Sequence, residues 1–374
     1  MIFHFLLPAR PVTSVVILSA RAIANCSRGE KYPFEIETGG SKLIIESKAP
    51  TRIDLAGGTI DLWPLYLFHD DSQTINFAID QYAKCRVETR NDGRFVVESK
   101  DRNVRIEADS LEQLRGDDEL SLISKLIYFF KPRTGLNIST DCMAPAGAGL
   151  AGSSALNIAV CGALNKLTGA RYTLERLPFI AINVETQVLK VPAGYQDYFP
   201  AVHGGVSRVR LGVEGVTREE VVTDLDELER RVALCFTGAP RNSGINNWEM
   251  YKRHIDNAPG IFDRFERIRD TALKIDEALS AREFDRIGAI FAEEWASRRQ
   301  LAPGITTPFI DQLIEIARAS GAGAAKVCGA GGGGCVAFYC EQGRKAEVED
   351  ALSKAGGQII PYRIARQGLS VVQK

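Results

Sequence analysis

A glycine- and alanine-rich stretch directly before a helical pattern is the most constraining feature of this sequence. Residues 144–155 read A-P-A-G-A-G-L-A-G-S-S-A, and apolar residues then recur at three- and four-residue spacing as far as Leu167. A loop with so few side chains lets a ligand reach the backbone, and the first turn of a helix offers unpaired N–H groups at the positive end of its dipole. The pattern predicts a phosphate-binding loop. A glycine–alanine loop packed tightly under another element is the alternative.

The loop is not of a standard nucleotide-binding type. It lacks the Gly-Lys-Ser/Thr ending of a P-loop, and no early strand precedes a dinucleotide-type glycine pattern. Ser153 and Ser154 stand at the predicted helix start, where serine is a common N-cap. The alternative is that one hydroxyl holds a magnesium ion beside phosphates, which requires further oxygen ligands and normally a carboxylate.

Length and composition indicate an ordinary globular protein. The chain has 374 residues, enough for two domains, with 25% charged residues and a formal net charge of −1. This charge balance predicts no nucleic-acid or membrane partner, so we expect a small-molecule substrate and a monomer or homodimer. The eight cysteines include no CxxC pair and lie mostly in apolar runs, which predicts buried reduced thiols and a cytoplasmic location.

Residues 1–41 differ from the rest of the chain. Their two apolar stretches, Phe3–Leu7 and Val12–Ile23, are too short to span a bilayer, and arginines interrupt the region. A signal peptide would need an uninterrupted apolar segment. We interpret these residues as a poorly ordered extension, or as residues upstream of the natural start, and expect the ordered protein to begin near Lys42.

Strand patterns dominate the first half of the chain and helical patterns the second. Period-two alternation and turn residues predict strands at 43–47, 74–79, 83–89, 94–99, 103–108, 135–142, 204–211, 232–237, 335–340 and 358–364. Helical spacing predicts helices at 120–130, 156–167, 173–189, 244–257, 260–279, 283–300, 307–320 and 344–355. This mixture predicts an α+β fold with two domains joined within the charged stretch near residue 220, hence residues 42–220 and 221–374.

Three separated segments resemble the three motifs of the GHMP kinases (galactokinase, homoserine kinase, mevalonate kinase, phosphomevalonate kinase). They are residues 49–62, A-P-T-R-I-D-L-A-G-G-T-I-D-L, residues 145–155, and residues 326–335, K-V-C-G-A-G-G-G-G-C. Their order and spacing fit the family, and the resemblance runs from about residue 42 to the end. Residues 56–62, A-G-G-T-I-D-L, are most similar to the branch acting on heptose phosphates and fucose-like sugars, which carries A-G-G-G-T-D-L. The galactokinase pattern G-E-H-T-D is absent.

The resemblance implies a fold and a set of site residues. The fold would pair an N-terminal ATP-binding domain of the ribosomal S5 domain 2 type with a C-terminal ferredoxin-like domain. ATP and Mg²⁺ would be the cofactors, and the nucleotide would lie on Pro145, Gly147, Gly149, Leu150, Ala151, Gly152, Ser153, Ser154, Gly331, Gly332 and Gly333. The acceptor would lie on Gly58, Thr59, Asp61 and Asp197.

Four of these residues would carry the chemistry. Ser154 matches the serine that ligates magnesium, and Glu185 matches the helix glutamate that supplies the carboxylate, although a solvated helix residue is the alternative for Glu185. Asp197 matches the aspartate proposed as base, and Arg52 matches the basic residue that pairs with it. A purely structural ion pair is the alternative for Arg52 and Asp197. Phosphoryl transfer needs positioning and charge neutralisation, and a carboxylate can accept the proton of a sugar hydroxyl.

Two further features remain open. Arg241 follows the strand predicted at 232–237, where it could meet a phosphate or the substrate, or stand solvated in a helix-capping turn. Trp63 and Tyr66, after Asp61, could stack on a sugar or belong to the core.

The function predicted from these residues is an ATP- and Mg²⁺-dependent kinase acting on a hydroxyl of a sugar or sugar phosphate. A mevalonate-pathway or other alcohol kinase is the alternative among enzymes. A GHMP-fold binding protein without turnover is the alternative from another class, and the joint presence of Arg52, Ser154, Glu185 and Asp197 argues against it.

Overall fold

Two β-sheets organise the part of the chain that the computed structural model describes, residues 42–240 and 243–374, with the backbone alone for 243–246. The strands are β1 Ile44–Ala56, β2 Gln73–Arg90, β3 Phe95–Ser99, β4 Val104–Ala108, β5 Gly135–Cys142, β6 Val206–Gly212, β7 Gly215–Glu220, β8 Val232–Phe236, β9 Ala322–Val327, β10 Cys335–Cys340, β11 Gln358–Ile359 and β12 Ser370–Gln373. The helices are α1 Ser121–Phe130, α2 Gly152–Leu167, α3 Leu177–Leu189, α4 Tyr198–His203, α5 Leu225–Arg231, α6 Ser243–Ile255, α7 Ile261–Ser280, α8 Phe284–Arg298, α9 Pro308–Ala319 and α10 Lys345–Lys354.

The first sheet is built around the long strands β1 and β2. Its order is β12-β1-β2-β5-β3-β4, and β6 and β7 continue from the first part of β2. All pairs are antiparallel except β3 with β5. The register of β1 against β2 shifts between Pro50 and Thr51, where proline has no N–H to donate. Because β12 pairs with β1, the last strand of the chain belongs to this sheet.

Helix α2 packs on one face of the first sheet, and α3 packs against α2. Apolar side chains of the sheet, such as Val87 and Ile138, are buried in one cluster with Ile158 and Leu164 of α2. Full burial of one such side chain stabilises the fold by about 1.5–3 kcal/mol. This packing fixes the first turn of α2, and with it the glycine-rich loop, against the sheet.

The second sheet has the antiparallel order β11-β8-β10-β9. Its apolar residues share a buried cluster with β1 and with α7 and α8, and Leu55, Leu234 and Phe291 are members from β1, β8 and α8. Strand β1 therefore contacts both halves of the molecule. Its polar residues Arg52 and Asp54 are buried at the junction, with 1% and 0% of their surface exposed.

The α+β prediction is confirmed, and most predicted elements are present. The patterns at 74–79 and 83–89 belong to one continuous strand, β2, and the strand predicted at 358–364 is wrong beyond residue 359. The sequence patterns missed α4, α5, β7, β9 and β12. Helix α5 lies in the charged stretch, where the Asp224 side chain accepts hydrogen bonds from two N–H groups of its first turn.

The remaining expectations concern residues 1–41, the domain boundary and the cysteines. The prediction for residues 1–41 falls outside the described residues, and the division at residue 220 stays a prediction. Six of the seven cysteines among the described residues are buried. Within residues 42–240 and 243–374, no helix combines the length and apolarity that a bilayer span requires.

Candidate active site

The glycine-rich loop leads into α2 through three left-handed residues. Gly147, Gly149 and Ala151 have φ angles of +71°, +82° and +63°, and Ala151 directly precedes the helix. Ala155 is the first residue whose N–H bonds to a carbonyl of this turn, Ala151 O at 2.9 Å. The N–H groups of residues 152–154 therefore have no carbonyl within the helix to bind, which is the arrangement that holds anions.

Ser153 and Ser154 do not cap α2, so the capping alternative is wrong. The residue before the helix is Ala151, and both hydroxyls donate instead to Glu185, at 2.8 and 3.2 Å. Glu185 is only 5% exposed, which also excludes a solvated position for it. Helices α2 and α3 pack against each other, and this contact brings the serines to the carboxylate.

The surroundings of Glu185 fit a bound cation. Its carboxylate accepts hydrogen bonds from three hydroxyls, those of Ser153, Ser154 and Tyr198, the last at 2.5 Å. Burial raises the pKa of Glu185, and no cationic side chain among the described residues forms an ion pair with it. A buried carboxylate that lacks a counter-charge and lies beside a hydroxyl oxygen is a suitable ligand set for Mg²⁺, which takes its remaining ligands from phosphates and water.

Arg52 and Asp197 lie together at the end of the loop. The guanidinium donates from Nε and Nη2 to Oδ1 of Asp197, at 2.9 and 2.5 Å, and from Nη1 to the carbonyl of Gly149 at 2.7 Å. Burial lowers the pKa of Arg52, but the neighbouring Asp197 and Asp54 outweigh burial, so the pKa is raised overall. One buried cation thus connects the carboxylate to the glycine-rich loop.

Asp61 lies in a turn held against the segment that carries Asp197. Its Oδ1 accepts the N–H of Thr59 at 3.1 Å, and its Oδ2 accepts the N–H of Gln196 at 2.9 Å. Burial and the proximity of Asp197 raise the pKa of Asp61 to about 7. Gly194 packs on this carboxylate so closely that a Cβ there would stand 2.2 Å from Oδ2.

A buried network of four charges lies behind the turn. Lys326 Nζ contacts Asp54 Oδ2 at 3.2 Å and Glu294 Oε1 at 2.8 Å, and Arg298 Nη1 contacts Asp54 Oδ2 at 3.4 Å. Burial raises the pKa of Glu294 to about 7, and its neighbour Asp54 adds to the shift. For Asp54, the nearby Lys326 and Arg298 outweigh burial, so its pKa is lowered.

The glycine-rich loop, Glu185, Arg52, Asp61 and Asp197 line one cavity of about 870 Å³, which is within the range of small-molecule sites. Of the buried network, Arg298 lines this cavity. The residues assigned to the site from sequence that line it are Arg52, Thr59, Asp61, Pro145, Gly147, Gly149, Leu150, Ala151, Gly152, Ser153, Ser154, Glu185 and Asp197. Residues from motifs far apart in the sequence therefore share one cavity wall.

Other predicted residues lie beside the cavity or outside the described chain. Gly58 belongs to the turn but does not line the cavity, and Arg241 is outside the described residues. In the second glycine run, residues 329 and 330 line the cavity, whereas Gly331, Gly332 and Gly333 do not. Gly332 N bonds to Ile305 O at 2.8 Å, and a Cβ on Gly331 or Gly333 would stand 2.5 Å from Ile305 O or 2.8 Å from Ala239 O, respectively. Their assignment to the nucleotide stays a prediction.

Neither aromatic residue after Asp61 lines the cavity. Trp63 is 59% exposed, so it belongs neither to the cavity wall nor to the core. Tyr66 is 5% exposed and packs in the core, its ring edge-on to Tyr195 with centroids 6.2 Å apart. The sugar-stacking alternative therefore has no support from these positions.

Sequence reasoning missed Gln196, Tyr198 and Arg298, all of which line the cavity. Gln196 and Tyr198 flank Asp197 in the sequence, and this adjacency to the proposed base is a signal that could have identified them. Arg298 offers no such clue, because it ends an ordinary amphipathic helix and reaches the site only through the packing of α8 on β1.

Comparison with known proteins matches two parts of this chain to models of one family. A family model described as the GHMP kinases N terminal domain matches residues 121–205, and one described as GHMP kinases C terminal matches residues 275–358. The glycine-rich loop lies in the first range and the second glycine run in the other.

Individual relatives are similar over most of their length. D-glycero-alpha-D-manno-heptose 7-phosphate kinase of Campylobacter jejuni is 26% identical over 339 residues, or 87% of this chain and 98% of that protein. Mevalonate kinase of Thermococcus sibiricus is 25% identical over 315 residues, or 79% of this chain and 90% of that protein. The crystal structure of a D-glycero-D-manno-heptose 1-phosphate kinase from Bacteriodes thetaiotaomicron is 26% identical, with a TM-score of 0.72, and the match covers 88% of this chain and 98% of that one.

Proposed function

Since this chain belongs to the GHMP kinases, a family of phosphotransferases, we propose that it transfers the γ-phosphoryl group of ATP to a hydroxyl of a sugar phosphate, with Mg²⁺ as cofactor. The observation that carries the proposal is the position of Asp197. Its carboxylate is held by Arg52, and the same guanidinium bonds to the glycine-rich loop through Gly149. This arrangement supports Asp197 as the proton acceptor, beside a loop that would bind the phosphates.

A heptose phosphate is the acceptor class that we propose. Two of the relatives described above are named as heptose phosphate kinases, and each is covered almost completely by this chain. The mevalonate kinase match covers less of both chains. The residues of the turn before Asp61 also resemble the heptose and fucose branch, and their polar groups suit a polyhydroxylated acceptor.

In the proposed reaction Asp197 acts on the acceptor hydroxyl. Arg52 occupies Oδ1, and no donor among the described residues binds Oδ2, which leaves that oxygen for the acceptor. As the acceptor oxygen bonds to the γ-phosphorus and the bond to the leaving ADP oxygen breaks, the hydroxyl proton passes to Oδ2. Arg52 keeps Asp197 oriented and lies close enough to offset charge on the transferring group.

The glycine-rich loop and the start of α2 would hold the phosphates of ATP. The free N–H groups of residues 152–154 and the helix dipole favour negative charge there. Ser154 and Glu185 are the residues that would hold Mg²⁺, which when bound neutralises charge on the phosphates. Tyr198 orients the Glu185 carboxylate through its hydroxyl.

Acceptor recognition is assigned to the turn that carries Asp61. Thr59 and Asp61 line the same cavity as Asp197. At neutral pH Asp61 is close to its midpoint of ionisation, so it can accept from one sugar hydroxyl when charged and donate to another when protonated. Arg241, from the loop after β8, is proposed as a further contact to the acceptor or its phosphate.

A coupled assay for ADP release tests the proposal. The panel would contain heptose 7-phosphate, heptose 1-phosphate, fucose, galactose, mevalonate and homoserine, each with ATP and Mg²⁺. We expect turnover with a heptose phosphate to exceed that with mevalonate by at least about 100-fold in kcat/KM. Turnover confined to mevalonate or homoserine would overturn the sugar assignment. Tight ATP binding without any acceptor-dependent turnover would identify a binding protein instead.

A further inference from the structure

Thr59 adopts a backbone conformation that its own side chain opposes. Its φ angle is +83°, in the left-handed region, where a β-branched residue is a genuine outlier. Thr59 lines the cavity and is 5% exposed. Such conformations persist only where the surrounding structure holds them, and they concentrate at functional sites.

Asp61 and the Asp197 segment hold the turn from one side. Thr59 donates its N–H to Asp61 Oδ1 at 3.1 Å, and Asp61 Oδ2 is in turn bonded by the N–H of Gln196. These contacts connect the turn to neighbouring parts of the site. They engage the N–H of the Gly58–Thr59 peptide, whose carbonyl oxygen has a different partner.

Arg298 holds that peptide from the other side. Its Nη1 donates to the carbonyl of Gly58 at 3.0 Å, and its Nη2 donates to the carbonyl of Gly329. The packing is so close that a Cβ on Gly58 would stand 2.7 Å from Nη1 and 2.2 Å from Asp54 Oδ2. The guanidinium therefore fits directly against the backbone of the turn.

Arg298 is itself fixed in place. It ends α8, is 1% exposed, and contacts Asp54, which Lys326 also contacts. Asp54 lies on β1, four residues before Gly58. The turn is thus supported by a side chain from the opposite half of the molecule.

We propose that Arg298 is a positioning residue that holds the Gly58–Thr59 turn in the conformation that presents Thr59 and Asp61 to the acceptor. This inference rests on the proposed function in one respect, the assignment of the turn to the acceptor. The competing role for Arg298 is charge balance alone within the buried network.

Two substitutions separate positioning from charge balance. Arg298→Lys keeps the charge beside Asp54, but a single ammonium cannot bridge the carbonyls of Gly58 and Gly329 as the planar guanidinium does. Glu294→Gln is the matched control, because it changes the same network one turn earlier on α8 without touching the turn. Its isosteric amide resembles the neutral form that the raised pKa of Glu294 already favours.

Hydrogen exchange of the full-length protein gives a readout that does not depend on activity. We expect the amides of residues 57–62 to exchange at least about fivefold faster in Arg298→Lys, because local opening of the turn becomes easier. The same segment should exchange at the parent rate in Glu294→Gln. Unchanged exchange in Arg298→Lys, or equal acceleration in both variants, would overturn the proposal.

Kinetics in two backgrounds give the second readout. Arg298→Lys should raise KM for the sugar phosphate about tenfold and leave KM for ATP within about twofold. In a Thr59→Gly background, where the left-handed conformation carries no strain, the same substitution should raise KM less than about threefold. An equal effect in both backgrounds would show that the turn is not what Arg298 holds. If the parent phosphorylates no sugar phosphate, the proposed function fails, while the exchange measurement still decides the role of Arg298.

Discussion

Arg52 directs two N–H groups at one oxygen of Asp197, and the two side chains differ sharply in exposure. The Nε and Nη2 distances to Oδ1 are 2.9 and 2.5 Å, and the exposed fractions of the two side chains are 2% and 25%. In a purely structural pair, we would expect the two N–H groups of the guanidinium to bind both oxygens of the carboxylate. Here Arg52 binds Oδ1 alone, so Oδ2 of the more exposed Asp197 stays available to another group, as a proton acceptor requires.

Replacing Asp197 by Asn removes the proposed base while preserving its shape. We expect kcat to fall by about 10²–10⁴, because general base assistance contributes a factor of that size, and KM for ATP to change little. Steady-state kinetics with a heptose phosphate checks this. Asp70→Asn, at an exposed position, is the control and should behave as the parent. A loss of only a few-fold in Asp197→Asn would limit Asp197 to orienting the hydroxyl.

Arg52→Lys tests whether the pair acts as a unit. Lysine retains the charge but cannot bond to Asp197 and Gly149 together, so we expect kcat to fall by about tenfold or more. In an Asp197→Asn background the same change should cost much less, since residues that act together are strongly non-additive. A double-mutant cycle on kcat measures the coupling. Fully additive losses would mean that the ion pair is structural.

Glu185→Gln tests the proposed magnesium site. The amide keeps the shape of the carboxylate but supplies no charge and one acceptor oxygen instead of two, so half-maximal activity should require about 10–100 times more Mg²⁺. Titration of Mg²⁺ at saturating ATP gives this value. Glu175→Gln, exposed at the N-terminal end of the same helical segment, is the control. An unchanged Mg²⁺ requirement in Glu185→Gln would place the cation elsewhere.

Glu294→Gln should alter how stability depends on pH. Burial raises the pKa of Glu294 from 4.5 to about 7, so between these values the folded state binds the proton more tightly than the unfolded state. The parent therefore loses stability as pH rises through this window, by up to about 3 kcal/mol from this group, and the variant does not. In urea unfolding at pH 5 and pH 8, the free energy of unfolding of the variant relative to that of the parent should be higher at pH 8 than at pH 5. Glu293→Gln, in an exposed pair with Lys274, is the control without such a trend.

Thr59→Gly and Thr59→Ala form a matched pair for the strain at the turn. Glycine tolerates a positive φ at no steric cost, whereas alanine retains the clash of a Cβ, so the glycine variant should be more stable by about 1 kcal/mol. Urea unfolding of the two proteins decides the order. A more stable alanine variant would mean that the turn adopts another conformation in solution.

Much of the site could be predicted because its residues lie in short local patterns. The loop of residues 144–155 has its composition and its helix start in adjacent positions, and α2 is where the spacing predicts it. Glu185 and Asp197 follow on the next elements. The weaker predictions concern residues whose surroundings come from elsewhere, such as Trp63, which is neither in the core nor in the cavity wall.

The buried charges are the clearest case that sequence patterns could not reveal. Lys326 stands in an apolar strand and Arg298 at the end of an amphipathic helix, and neither position differs locally from a solvated one. Their partners, Asp54 and Gly58, are more than two hundred residues away. Only the packing of α8 and β9 against β1 brings them together.

The sequence by itself determined most of the secondary elements, the α+β class and the order of the three glycine-containing motifs, because helix spacing, strand alternation and turn residues are local properties. The tertiary structure decided which oxygen of Asp197 stays open, that Glu185 is buried among hydroxyls, and that a left-handed Thr59 is held by Arg298. Those outcomes depend on burial and on distances between residues far apart in the chain, and burial is what turns an ordinary carboxylate or guanidinium into a group with a strong electrostatic effect.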